Sequence, residues 1–137
     1  MKPECDDALC EEFPLLYANR HASWRETPMG FGIECGKGWF ALLRDLSAKL
    51  EALILRLPLE ERKKYRADQV KEKFGTLRFY MTALTDEMSE AIRAAEAASA
   101  ETCELCGAPG VLRSRGWLKT LCDRHHEERE ATKLARH

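Results

Sequence analysis

The sequence predicts an α+β fold, in which a small helix-strand body is followed by a C-terminal zinc finger. Two segments, 38–57 and 85–101, carry apolar residues at the spacing of amphipathic helices. A strand-like segment, 69–82, lies between them. Two pairs of metal-ligand residue types follow, at 103–106 and 122–125, with the spacing of a four-ligand zinc site.

The chain of 137 residues lies within the size range of one domain. Residues 1–12 are acidic, and we expect this N-terminal segment to be flexible, either poorly ordered or a short frayed helix. Residues 13–101 are predicted to form the helix-strand body. Residues 102–137 are predicted to form the finger, which packs on the body as one unit. The finger is too short to fold without a metal or another cross-link.

Overall charge and cysteine content bear on location and partners. A net charge of −1 gives no global field that would select an acidic or a basic partner. Of the six cysteines, a zinc site would use three, and the odd remainder does not suit a disulfide framework. No signal peptide pattern begins the sequence, and no apolar run is long enough to cross a membrane. We therefore expect a cytoplasmic protein with no membrane partner.

Two helices are predicted for the body. Apolar side chains in 38–57 recur at spacings of three and four, and charged residues lie outside that stripe. Pro58 ends this helix and begins a short second one over 58–67. The helix over 85–101 has Thr85 as its N-cap and acidic residues in its first turn, where the helix dipole favours them.

Residues 69–82 are predicted to form strands. Gly75-Thr76 either turns the chain into a β-hairpin or forms a bulge in one long strand, and we favour the hairpin. Alternation then places three residues on one face of the first strand, Val70, Glu72 and Phe74.

The metal-ligand residues follow the pattern C-x2-C, fifteen residues, then C-x2-H. The predicted ligands are Cys103, Cys106, Cys122 and His125. A knuckle at the first pair, a hairpin and a helix that begins at the second pair describe a treble-clef zinc finger. Four protein ligands leave no open position for water, which favours one structural zinc per chain over a catalytic ion. His126 is the alternative fourth ligand, and we place His125 ahead because its spacing matches the knuckle.

We predict no catalytic residue. The hairpin segment 107–121 contains no histidine or asparagine, which argues against a nuclease of the HNH type. Cys35, which is followed by Gly36, is the enzymatic candidate, as a nucleophile of lowered pKa with His21 as its base. The favoured interpretation of Cys35 is a small buried thiol. We therefore expect a protein that is not an enzyme.

Two sets of residues are candidate partner-binding surfaces. On the predicted strands, beside an aromatic side chain, the set is Lys71, Lys73 and Arg78. On the finger the set is Arg113, Arg115, Trp117 and Lys119. Basic residues interleaved with aromatic ones bind nucleic acid. Arginine and tryptophan are also enriched at protein interfaces, so both kinds of partner stay open on this pattern. For the strand residues the favoured interpretation is the solvated face of a sheet.

Several motifs occur in a fixed order along the chain. PLLY at 14–17 and CGKGWF at 35–40 precede QVKEKFGTLRFY at 69–80, and the two ligand pairs follow. In this order the motifs resemble a family of small bacteriophage and prophage zinc-finger proteins, most of them uncharacterised. The resemblance covers most of the chain, although many members look longer between the first helix and the strand motif.

The resemblance implies a phage setting, where small accessory proteins bind host machines, including antiviral defence systems. We therefore expect a zinc-stabilised interaction protein that binds and modulates a host protein complex in the host cytoplasm, as an anti-CRISPR or other anti-defence inhibitor. The alternative is a nucleic-acid-binding or transcription-modulating zinc-finger protein. An enzyme that uses Cys35 is the third hypothesis.

Overall fold

A computed structural model describes residues 1–136 and shows an α+β fold. The α-helices in this range are Pro3–Glu12 (α1), Phe40–Leu55 (α2), Asp86–Ser99 (α3) and Asp123–Ala135 (α4). The strands are Ile33–Glu34 (β1), Ala67–Lys73 (β2), Thr76–Met81 (β3), Val111–Arg113 (β4) and Lys119–Leu121 (β5). Short 3-10 helices cover Pro28–Phe31, Lys37–Trp39 and Leu59–Lys64.

The first sheet has the strand order β1-β2-β3, with β1 parallel to β2 and β2 antiparallel to β3. The predicted hairpin is confirmed, but its turn lies one residue earlier than predicted. Lys73 pairs with Thr76, so the turn residues are Phe74 and Gly75. Their φ angles are 53° and 87°, and a two-residue turn of type I′ requires positive values at both positions.

Helices α2 and α3 pack together, and α3 also packs on β3. Most of the predicted stripe of α2 is buried, including Leu43, Leu46, Leu50 and Ile54. The segment predicted as a second helix over 58–67 is a 3-10 helix at Leu59–Lys64. The predicted cap of α3 is present, because the Thr85 side chain accepts a hydrogen bond from the backbone N–H of Met88 at 3.2 Å. Among the described residues, no helix is both long and apolar enough to cross a membrane.

The N-terminal segment differs from the expectation of a flexible chain, because α1 is packed on the body. Leu9 is fully buried in the core. The Asp6 carboxylate accepts hydrogen bonds from the Arg20 guanidinium at 2.6 Å and from the backbone N–H of Ile33 at 3.0 Å. Burial acts to raise the pKa of Asp6, but the bonds from Arg20 and Ile33 outweigh it and lower that pKa below its usual value. These partners are distant in sequence, so the acidic composition alone did not reveal them.

Candidate metal centre

Residues 102–136, called here the C-terminal unit, hold all four predicted metal ligands. Cys103 and Cys106 lie in the loop after α3, where Gly107 has a φ of 82° that lets the chain turn back. Strands β4 and β5 then form an antiparallel pair. Cys122 is the N-cap of α4, and His125 lies in the first turn of that helix.

The structure brings these four side chains together. The candidate ligand atoms of Cys103, Cys106, Cys122 and His125 all lie within 4.8 Å of one another. The Sγ atoms of Cys106 and Cys122 are 3.8 Å apart, and His125 Nδ1 lies 3.6 Å from Cys103 Sγ and 3.3 Å from Cys122 Sγ. The group can hold one metal ion. His126 does not belong to it, so the geometry selects His125 between the two histidines.

The environment of Cys103 favours the thiolate form that a metal requires. Burial acts to raise the pKa of this thiol. Hydrogen bonds from the backbone N–H groups around Cys122, Leu105 and Cys106 outweigh burial and lower that pKa to about 6. Cys122 Sγ accepts the backbone N–H of His125 at 3.5 Å, at the positive end of α4.

Helix α4 has few stabilising contacts outside the candidate metal centre. None of its described residues is buried, so it has no apolar face packed on the body. A helix of this length is only marginally stable by itself in water. Two of its side chains donate to the loop between β4 and β5: Arg129 to the carbonyl of Trp117 at 2.5 Å, and Lys133 to that of Arg115 at 3.2 Å. A metal ion bound at the start of α4 would therefore also help to order the tip of this hairpin.

The segment 35–39, which includes the 3-10 helix Lys37–Trp39, joins the C-terminal unit to the body. Gly38 N–H donates to the Glu104 carbonyl at 2.7 Å, and Gly36 N–H donates to the Glu104 carboxylate at 2.9 Å. Trp39, which is buried in the body, donates from Nε1 to the Thr102 carbonyl at 2.9 Å. A Cβ on Gly38 would collide with the Cys103 carbonyl. The glycines of the CGKGWF motif thus allow the backbone next to the metal ligands to approach the start of α2.

Two residues of the predicted finger surface are engaged inside the molecule. Lys119 lies between Glu72 and Glu104, at 2.8 Å and 3.3 Å from their carboxylates. Burial acts to lower the pKa of Lys119, but the bonds and charges of these two carboxylates outweigh it and raise that pKa. Arg113 has only 16% of its side chain exposed and bonds the Leu121 carbonyl and Asp123. Lys119 and Arg113 therefore stabilise the C-terminal unit, and the surface that is free for a partner excludes them.

Trp117 is the opposite case, because 85% of its surface is exposed although its backbone is held by α4. It lines a groove of about 600 Å³ between the β4–β5 hairpin and the β2–β3 turn, where Lys73 and Phe74 form the facing wall. Trp117 was predicted as a surface residue, whereas Phe74 was predicted to share a strand face with the buried Val70. At the turn, the Phe74 ring is 62% exposed instead.

Phe74 is held in an unfavourable backbone conformation. The left-handed region costs an L-residue other than glycine roughly 1–2 kcal/mol, and bulky residues rarely occupy it. Because the Phe74 ring is mostly exposed, its burial offsets little of this free-energy cost. Strain of this kind concentrates at functional sites. An apolar residue directly before the glycine of a two-residue turn is the sequence signal that would have identified Phe74.

The strand set of basic residues shares one face of the β2–β3 hairpin. Lys71 pairs directly with Arg78 across the strands, and Lys73 lies two residues further along β2. Like charges directly opposite each other destabilise a sheet. Within residues 1–136, none of the three forms an ion pair with an acidic side chain. Lys73 belongs both to this face and to the groove, so the two predicted surfaces meet there.

Cys35 lies in the core and not in a cleft. Burial raises the pKa of its thiol to about 12, which is the opposite of the shift that a nucleophile requires. Among the described residues, no hydrogen bond joins Cys35 to His21.

Comparison of the chain with protein-family models, with curated proteins and with solved structures found no match. The resemblance to the phage family therefore stays a prediction.

Proposed function

We propose that the protein holds one structural zinc ion in a treble-clef-like C-terminal unit. Zn–S and Zn–N bonds of about 2.3 and 2.0–2.1 Å imply tetrahedral S···S and S···N separations of about 3.8 and 3.6 Å. The observed separations of 3.8, 3.6 and 3.3 Å fit this arrangement. When bound, the ion would link the loop before β4 to the start of α4. The four ligands Cys103, Cys106, Cys122 and His125 fill its shell, which supports a structural role.

The activity that we propose is protein binding. A single observation carries it: Trp117 is almost fully exposed while α4 holds its backbone in place. An exposed tryptophan on a pre-ordered hairpin offers a large apolar contact at little cost in conformational entropy. In the phage setting that the resemblance implies, the partner is a host protein complex. Inhibition of a defence system such as CRISPR is the form of modulation that we expect there.

Native mass spectrometry combined with affinity purification tests this proposal. We expect one zinc ion per wild-type chain, and none on the Cys106→Ser variant. The tagged wild-type chain, produced in bacterial cells, is expected to recover one host complex in stoichiometric amount. The zinc-free variant should recover much less, because its hairpin tip is no longer held by α4. A folded wild-type protein without zinc, or recovery of no stoichiometric partner, would contradict the proposal.

A second candidate function, binding of nucleic acid, is favoured by the unpaired basic face of the hairpin. The exposed Tyr80 ring accompanies the three cations on this face. This candidate predicts binding of a fluorescent oligonucleotide that weakens steeply as salt rises, because phosphate contacts release counterions. A double variant, Lys71→Ala with Lys73→Ala, should then reduce the salt dependence. Unchanged polarisation of the oligonucleotide at low salt would exclude it.

A further inference from the structure

The groove between Trp117 and Phe74 differs from the other surface features of the molecule. Its two aromatic side chains come from different units, one from the hairpin tip at Gly116 and one from the strained turn of the body. Its walls are mainly apolar, yet they are exposed. The C-terminal unit and the body are joined beside it, since Thr120 Oγ1 donates to the Gly75 carbonyl at 2.7 Å. Both walls are therefore held in place before any partner arrives.

Charges around the groove have one prevailing sign. Lys73 lines it and has no acidic partner among the described residues, and its Nζ lies 5.5 Å from the centre of the Phe74 ring. The acidic lining residue, Glu72, accepts bonds from the Gly75 N–H and from Lys119, which it shares with Glu104. At Gly116, the cations Arg129 and Lys133 approach the other wall, and Lys133 is also paired with Glu130. The cations Lys73, Lys119, Arg129 and Lys133 outnumber these three carboxylates by one, so a small positive excess borders the apolar groove.

From this arrangement we infer that the groove binds an acidic segment of a partner protein, which inserts one bulky apolar side chain between Trp117 and Phe74. The inference rests on the proposed function as a protein-binding module and names the site and the partner chemistry. Acidic residues on both sides of the anchor would face Lys73 and the Lys71–Arg78 pair along the hairpin. Complementary charge of this kind directs encounter and selects partners, while the buried anchor supplies most of the affinity.

A segment of protein fits these features better than a nucleic acid strand does. A strand needs cations spaced along several nucleotides. Beyond Trp117, however, Arg129 and Lys133 already donate to backbone carbonyls. The sequence pI of about 6.4 also lies far below the value above about 9 that is typical of nucleic-acid-binding domains. A peptide that is held by one anchor side chain needs a cation only near that anchor, and Lys73 supplies it.

A random peptide display library, selected on the zinc-loaded full chain, tests the inference. We expect the enriched peptides to share an aromatic or long aliphatic residue flanked by Asp or Glu. A synthetic fluorescent peptide of the consensus sequence then serves as the probe in polarisation measurements. Trp117→Ala should weaken its binding about tenfold or more, as loss of a hot-spot residue does. Trp24→Ala is the matched control, since that tryptophan is 57% exposed outside the groove and its loss should leave binding unchanged.

Two further variants separate binding from folding. Phe74→Asn places a residue that tolerates positive φ in the turn, so thermal stability should rise while peptide affinity falls. Lys73→Glu should weaken the peptide, and the effect should shrink as salt is added. Lys63→Glu, a charge reversal of an exposed lysine on the 3-10 helix Leu59–Lys64, should have no effect.

Any of three outcomes would overturn the inference: the library yields no enriched peptide, the consensus lacks acidic residues, or the Trp117→Ala protein binds the peptide as tightly as the wild type. A fluorescent oligothymidine that binds the wild type and is lost with Trp117→Ala would assign the groove to nucleic acid instead. Recovery of the same stoichiometric host complex by the wild type and by Trp117→Ala would refute the groove as the binding site and leave the proposed function intact. If the wild-type chain recovers no complex, the proposed function fails, and the peptide measurements still decide what the groove binds.

Discussion

Loss of the proposed zinc ion should unfold the C-terminal unit and leave the body folded. The buried apolar core cluster of the body draws its residues from positions 9–95, so it does not include the C-terminal unit. We consider the substitution Cys106→Ser, which removes an exposed ligand and therefore opens no cavity in the core.

The free energies of zinc binding and of the contacts with the body indicate that the C-terminal unit would unfold alone. A structural zinc site contributes about 10–16 kcal/mol of apparent binding free energy at neutral pH. The C-terminal unit is joined to the body by hydrogen bonds of Gly36, Gly38, Trp39 and Thr120 and by the ion pair of Lys119 with Glu72. At about 0.5–1.5 kcal/mol for each of the four bonds and about 1.5–3 kcal/mol for the charged pair, these contacts contribute roughly 3.5–9 kcal/mol in total. That total is less than the binding free energy of zinc, and α4 buries no residue whose packing could replace the metal.

Hydrogen exchange measured by mass spectrometry, together with far-UV circular dichroism, checks this prediction. Amides of the 13-residue helix α4 should lose protection in Cys106→Ser, while those of α2 and α3 keep it. Because the other helices have 10, 16 and 14 residues, about a quarter of the α-helical signal should be lost. Cys5→Ser, on α1 and outside the metal group, is the control and should retain both zinc and protection. Protected α4 amides without metal, or simultaneous loss of protection in α2, would refute the reasoning.

Three further predictions concern stability. Gly38→Ala forces a Cβ against the Cys103 carbonyl, so the free energy of unfolding should fall by about 1–3 kcal/mol; an unchanged urea midpoint would argue against close packing there. Because folding lowers the pKa of Asp6, its stabilising contribution is present above its unfolded pKa and is lost as pH falls through the lower folded value. Below about pH 4 the wild type should therefore lose stability more steeply than Asp6→Asn, in which the bond to Arg20 no longer depends on pH. A free energy of unfolding in urea that falls equally with pH in both proteins would count against this. Thr85→Ala should cost about 1 kcal/mol through loss of the cap of α3, whereas Thr85→Ser should restore most of it; equal losses in both variants would contradict the capping role.

Side-chain spacing within one segment accounts for the features that the sequence predicted well. The stripe of α2 and the cap of α3 depend on residues three or four positions apart, and these distances are set by helix geometry. The ligand pairs beginning at Cys103 and Cys122 are local in the same sense. The close approach of the two pairs in space was implied by their number and type, because a tetrahedral ion needs four donors.

Contacts between distant segments could not be predicted in this way. Asp6 is buried because Arg20 and the N–H of Ile33 surround it, and acidic composition alone indicated a flexible segment. Lys119 was predicted as part of a binding surface on the basis of its charge. The structure places it between two carboxylates from different parts of the chain. Whether a charged residue is free or paired depends on chain packing, which local pattern does not encode.

The sequence by itself therefore determined the helices α2, α3 and α4, the hairpin and the four candidate metal ligands, because each follows from short-range geometry and the chemistry of its residues. Only the tertiary structure decided how the C-terminal unit meets the body, through the close approach that Gly38 permits. It also decided which aromatic residues remain exposed together. Trp117 and Phe74 lie far apart in the chain, and they line one groove because two hairpins meet beside Gly75.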